Sequence, residues 1–253
     1  VTNEDRGAMP PELERAQRFA WALEGVFDAD LVSVVLYGSA ARGEYRPGIS
    51  DLNVLVLLRE VSPAALRAAG ELAREWVAEG NAAPLMLSAE EWRRSTDVWA
   101  IEVADIRDAH LTLAGEDPFA GLDVRPEDLR LQCERELKGK QIQLRERYLL
   151  NAEKPEELGA LLMRSFSTFL VLFRTVLRLS GDGGERDAEA VVRQVGQKVG
   201  FDPAPLLEIH RARTSGQPLR PRADSPVAVG YLNAVSRVVE HVDRLVHGGG
   251  RSA

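Results

Sequence analysis

Apolar positions change period several times along the first hundred residues. In PELERAQRFAWALEGVF, after Pro10, they fall at Leu13, Ala16, Phe19, Ala20 and Leu23, the spacing of one helical face. LVSVVLY, residues 31–37, is apolar and β-branched up to Gly38 and predicts a buried strand. DLNVLVLL, residues 51–58, predicts a second strand, with Asp51, Asn53 and Leu55 on one face and Leu52, Val54 and Val56 on the other. Between the two, residues 40–43 fit a short helix. Residues 45–50 must be loop, because Pro47-Gly48 breaks regular structure. Ser62 followed by Pro63 opens a helix that runs to Gly80. Residues 84–88 read as a short strand and 89–94 as a short helix. WAIEVADI, residues 99–106, reads as a strand running into a turn or helix, and Gly115-Glu116-Asp117-Pro118 punctuates the chain.

After residue 125 the pattern is helical only. Leu129, Cys133, Leu137, Leu144 and Tyr148 share one face of a long helix. Residues 155–181 form another, apolar over more of its surface and so central in a bundle. Further helices are expected over 185–199, 203–213 and 227–246. The expected fold class is therefore an α/β N-terminal domain, residues 1–122, followed by an all-α helical bundle, 123–247. Residues 248–253, GGGRSA, read as a flexible tail, like the first several residues.

Composition narrows the function classes. The chain has 253 residues, 45% hydrophobic and 28% charged, which suits a globular fold. A formal charge of -7 argues against a large nucleic-acid footprint, which needs a basic surface. The single cysteine, Cys133, rules out an intrachain disulfide. The apolar run from Phe166 carries Arg174 and Arg178 and reads as too short and too charged for a membrane span. No stretch reads as a signal peptide, so the expected setting is cytoplasmic, without a membrane partner.

The candidate chemistry lies in LYGSAARGEYRPGISDLNVLVLL, residues 36–58. Gly38 lets the backbone approach a phosphate closely, and the Ser39 hydroxyl with nearby amides can hold it. Eleven residues later Asp51-Leu52-Asn53 opens the next strand. Glu102 sits between Ile101 and Val103, and a carboxylate in an apolar strand asks for a partner or a metal. Asp51 and Glu102 on separate strands would converge at one sheet edge and suggest a divalent cation site. Magnesium takes such oxygen ligands together with substrate phosphates. Plainer readings exist: a loop carboxylate for Asp51, a backbone-bonded side chain for Asn53, and an arginine partner, such as Arg107, for Glu102. Arg42 and Arg46 lie in the loop and can meet phosphates. Lys138 and Lys140 read as a solvated helix face. None of His110, His210, His241 and His247 has metal-ligand spacing, and Cys133 reads as packing.

The same stretch resembles the signature of the DNA polymerase beta-like nucleotidyltransferase superfamily: an apolar strand, Gly-Ser, a loop of this length, then Asp-x-Asp or Asp-x-Glu. The resemblance covers roughly residues 30–118, and the helical tail is similar to the bundle of kanamycin-type and aminoglycoside nucleotidyltransferases. It implies a small mixed sheet with flanking helices. It also implies magnesium or manganese as cofactor, a nucleoside triphosphate as substrate, and a small-molecule or protein hydroxyl as acceptor. By this resemblance Gly38, Ser39 and Arg42 hold the nucleotide, Asp51, Asn53 and Glu102 occupy the metal positions, and Asp51 and Glu102 are catalytic. Asn53 departs from the pattern, which has a second carboxylate there. The metal site falls from three formal negative charges to two, and one such electrostatic contribution is worth ~2.7–4 kcal/mol. The alternative implied by Asn53 is a catalytically impaired relative acting as a nucleotide-sensing or protein-interaction module.

Overall fold

The computed structural model describes residues 9–185 and 187–248. It divides into two compact units. One comprises the described part of Val1–Thr96 with Ile106–Asp123; the other comprises Asp97–Asp105 with the described part of Val124–Ala253.

The first unit is built on a four-stranded mixed sheet. Its strands are β1 (Leu31–Tyr37), β2 (Asn53–Leu58), β3 (Leu85–Ser88) and β4 (His110–Gly115), in the order β3-β2-β1-β4. β1 pairs antiparallel with β2 and β4, while β3 runs parallel to β2. The helices are α1 (Pro11–Phe27), the four-residue α2 (Ser39–Arg42), α3 (Pro63–Ala78) and α4 (Ala89–Arg94). α1 and α3 cover one sheet face. Ala16, Phe19, Ala20 and Leu23 meet Val34, Leu36, Val54 and Val56, and Phe19 stacks on Trp76 with ring centroids 4.4 Å apart. Burying side chains of this size stabilises by roughly 1.5–3 kcal/mol each. Ser62 caps α3 as its spacing suggests, accepting from the Ala65 amide at 3.1 Å. α4 opens with a reciprocal capping box between Ser88 and Glu91, and the Ser88 amide, donating to the Glu91 carboxylate at 2.7 Å, is the first cause that holds this carboxyl below its ordinary range, with the Ser88 side chain adding to it. α4 carries fully buried Trp92, whose indole N–H donates to the Pro118 carbonyl at 3.1 Å.

Two elements differ from the sequence reading. Residues 99–106 are not a strand: α5 spans Ala100–Asp108. Ala100 and Ile101 are buried, as are Val103 and Ala104. Adjacent buried pairs of this kind suit a helix and not a pleat, in which neighbours face opposite ways. The fourth strand is instead HLTLAG, where the sequence showed only the approach to a turn.

The second unit is helical: α6 (Pro126–Asn151), α7 (Pro155–Leu179), α8 (Ala188–Val199), α9 (Ala204–Ser215) and α10 (Pro226–Gly248). α7 is central and packs against the other four. Leu162, Phe166, Phe169, Phe173 and Val176 join Cys133, Val192, Ile209, Tyr231 and Val238 in one core. By length and composition α7 is long and apolar enough to cross a membrane, which corrects the sequence reading of that run as too short and too charged. Most of its apolar residues are buried in this core. Gly159 allows a close approach there: a β-carbon on it would lie 1.7 Å from the Leu219 carbonyl oxygen. Of the stretch read as a tail, Gly248 ends α10, and residues 249–253 lie outside the described residues, as do residues 1–8.

Candidate active site

The loop between β1 and β2 starts from a conformation that glycine adopts easily. Gly38 has φ 81° and ψ -147°, and its carbonyl accepts from the Arg42 amide at 3.1 Å, closing α2. Gly43, left-handed, ends that turn, and the Glu44 amide returns to the Ser39 carbonyl at 2.9 Å. Pro47 and Gly48 turn the chain again. The Ile49 and Ser50 amides donate to the Arg46 carbonyl at 3.1 and 2.8 Å, and the Arg46 amide donates to the Ser50 hydroxyl at 3.2 Å. The loop is thus held by its own backbone, with Tyr45 anchored by Arg15 at 3.0 Å. Arg42 and Arg46 each engage in interactions of their own.

Asn53 opens β2 opposite Tyr37, the last residue of β1. A β-carbon on Gly38 would lie 3.1 Å from the Asn53 Nδ2 atom. The glycine and the asparagine therefore touch, and the smallest side chain is what allows it. The Asn53 amide also reaches the Asp51 carbonyl at 3.5 Å, the long limit of a hydrogen bond. Asp51 is exposed and precedes the strand, while Leu52 between them is fully buried. The buried leucine anchors the segment, and the carboxylate stays in water, where it needs no compensating partner.

Gly38, Ser39, Arg42, Asp51 and Asn53 belong to one loop and strand start of the sheet unit. Glu102 is placed differently. It is exposed in the first turn of α5 and accepts from the Gln132 side-chain amide at 2.8 Å, while the same glutamine's oxygen accepts from the Ile101 amide at 2.9 Å. Both residues belong to the helical unit. Glu102 therefore lies on a helix, and its expected placement on a later strand is corrected. β3, the strand beside β2, reads Leu85-Met86-Leu87-Ser88 and carries no acid. Among the described residues no group of three or more His, Cys, Asp or Glu side chains can hold a metal ion. The donors at the start of β2 are one carboxylate, Asp51, and the neutral carbonyl of Asn53; the loop's other carboxylate, Glu44, has an interaction of its own. That set fits a magnesium-type cation only with substrate phosphates completing the shell, the common manner for this ion.

The sequence reading missed His110, since β4 was not read as a strand. His110 pairs with Tyr37 across β1 and β4, so Asn53, Tyr37 and His110 form one cross-strand row at the sheet end. Its Nδ1 donates to the Arg107 carbonyl at 3.0 Å, its Nε2 lies 3.6 Å from Asp117, and its ring packs on Phe119. Burial pushes the Tyr37 phenol up, so it stays neutral. Lys138 lies on an exposed helix face, as its sequence position suggests, and pairs there with Glu134 and Asp243, each at 2.7 Å.

Residues 23–104 match the family model for a nucleotidyltransferase domain. Among solved structures, the chain is similar to spectinomycin adenyltransferase AAD(9) from Enterococcus faecialis, crystallised with ATP and spectinomycin. The TM-score is 0.56 at 12% identity, covering 89% of this chain and 98% of that one. No curated protein gives a match. The glycine-serine loop and strands β1, β2 and β3 of the mixed sheet around it lie within the stretch that matches the nucleotidyltransferase-domain model, and the solved adenyltransferase shares the fold.

Proposed function

We propose that this protein transfers a nucleoside monophosphate from a nucleoside triphosphate to a hydroxyl of a small molecule, with a divalent cation bound at Asp51. The observation that carries this reading is the Gly38–Asn53 contact at the mouth of the loop, with Asp51 two residues away inside the matched domain. Without a side chain at Gly38, the backbone amides of the turn are open to phosphate oxygens, and Ser39 adds a hydroxyl donor. Asp51 and the Asn53 carbonyl would hold the cation, which supplies charge neutralisation at the phosphates when bound. Arg42, at the end of α2, lies on the same loop as a further phosphate contact. The structurally similar adenyltransferase was crystallised with ATP, so ATP is the first nucleotide to try.

The test is calorimetric titration of ATP, GTP, CTP and UTP with and without magnesium. Magnesium-dependent binding by at least one nucleotide, lost in Asp51→Ala, is the expected result; no binding by a folded sample would sink the proposal. A second reading, nucleotide sensing without transfer, draws on Asn53 in place of a second carboxylate beside Asp51 and on the acid-free β3. It predicts binding with no pyrophosphate release for any acceptor hydroxyl.

A further inference from the structure

The helical unit contains a cleft between α6 and α7 with about 230 Å³ of space. Lys140, Gln143 and Arg147 line it from α6, at i, i+3 and i+7 of one face; Arg164, Ser165 and Thr168 line it from α7, at i, i+1 and i+4. Leu144 and Phe169 add apolar wall. The three cations meet no carboxylate in the lining, and among the described residues none of them makes an ion pair. Their neighbours on the same two helices are paired: Arg130 with Glu134, Lys138 with Glu134 and Asp243, Arg178 with Asp105. Gathering three like charges around one small space raises the energy of each, and an anion reverses the sign of that interaction. The hydroxyl wall is fixed as well. Ser165 donates to the Leu162 carbonyl at 3.2 Å and lies 3.0 Å from the hydroxyl of fully buried Tyr231.

The geometry points to a second ligand site in this cleft, one that takes the phosphoryl group of a small phosphorylated molecule. Two guanidinium forks and an ammonium match the shape and the near-double negative charge of a phosphomonoester better than they match a single carboxylate. The volume lies below the ~300–1,000 Å³ of sites for drug-sized ligands, so the cleft seats a head group and a small body. The same charges disfavour a polyamine. The residues of this cleft all lie in the helical unit and none belongs to the loop, so the Asp51 variant separates this inference from the proposed function.

Calorimetric titration of the full chain with inorganic phosphate, glucose 6-phosphate and glucose, at low salt and without magnesium, tests it. The phosphorylated probes bind, more weakly as salt rises, and glucose does not. Arg147→Gln and Arg164→Gln each weaken binding roughly tenfold or more, while Asp51→Ala leaves it unchanged. Equal affinity for the two probes identifies free phosphate as the ligand, and tighter binding of glucose 6-phosphate identifies a phosphorylated metabolite; either upholds the site. Both arginines are exposed, so circular dichroism should report intact variants. No binding of either phosphorylated probe, binding that survives the double arginine variant, or binding lost in Asp51→Ala would each overturn it.

Discussion

Replacing Gly38 by alanine would set a β-carbon 3.1 Å from the Asn53 amide nitrogen and ask an L-residue to hold φ 81°. With ψ near -147° this is a region used essentially by glycine alone, so the backbone penalty is on the order of 1–3 kcal/mol, and the turn must shift to relieve the contact. We expect Gly38→Ala to lower thermal stability modestly and to weaken magnesium-dependent nucleotide binding at least tenfold, read in the same calorimetric titration. Asn53→Asp asks the converse question. It returns a charged oxygen pair to the position beside Asp51, and binding of the metal-nucleotide complex should tighten. If transfer also rises by orders of magnitude, the asparagine is what limits the chemistry; if native transfer falls, asparagine is the working residue.

At the scale of elements, Gly159 is the glycine of the bundle with the least room for a side chain. Gly159→Ala must displace the Leu219 backbone, since the new carbon would lie 1.7 Å from that carbonyl oxygen. The cost should reach at least the ~1–3 kcal/mol of an overfilled core site, visible as a lower midpoint in urea. Elements with one dominant period were legible from sequence: α1, β1, the cap of α3, and the five helices after residue 125. α5 was not, because in WAIEVADI the acidic residues at 102 and 105 interrupt an apolar run that fits either period. Its pairs of adjacent buried residues emerge only with the burial itself. With α5 taken for the sheet strand, β4 lost its place, and His110 in the row beside Tyr37 could not be seen. The loop site fared better because its chemistry is local in sequence: Gly38, Ser39, Asp51 and Asn53 fall within sixteen consecutive residues. Glu102 depended on long-range strand pairing, which single-sequence periodicity does not encode.

Over the whole molecule, one buried and one half-buried group in the helical unit bound the pH range of stability. Burial pushes the Cys133 thiol from its ordinary 9.0 up to about 12. The unfolded chain therefore releases this proton first. The stability contribution is complete below pH 9.0 and is lost as pH rises toward about 12. The His241 imidazole is held below its ordinary 6.5, by burial first and then by Arg244 and Lys198. Here the unfolded chain takes up the proton first, so stability falls as pH drops below 6.5. Urea midpoints measured from pH 5 to 10 should peak between these limits, and His241→Gln should flatten the acid side. Cys133 has another consequence. As the chain's only thiol, fully buried in the helical core, it resists a maleimide until that core opens. Trp76 and Trp92 are buried in the sheet unit, while Trp21 there and Trp99 of the helical unit are exposed already, so the shift of emission from buried to exposed indole follows the sheet half of the chain. A labelling rate and an emission shift recorded along one urea series would thus clock the two halves separately, without a single engineered probe.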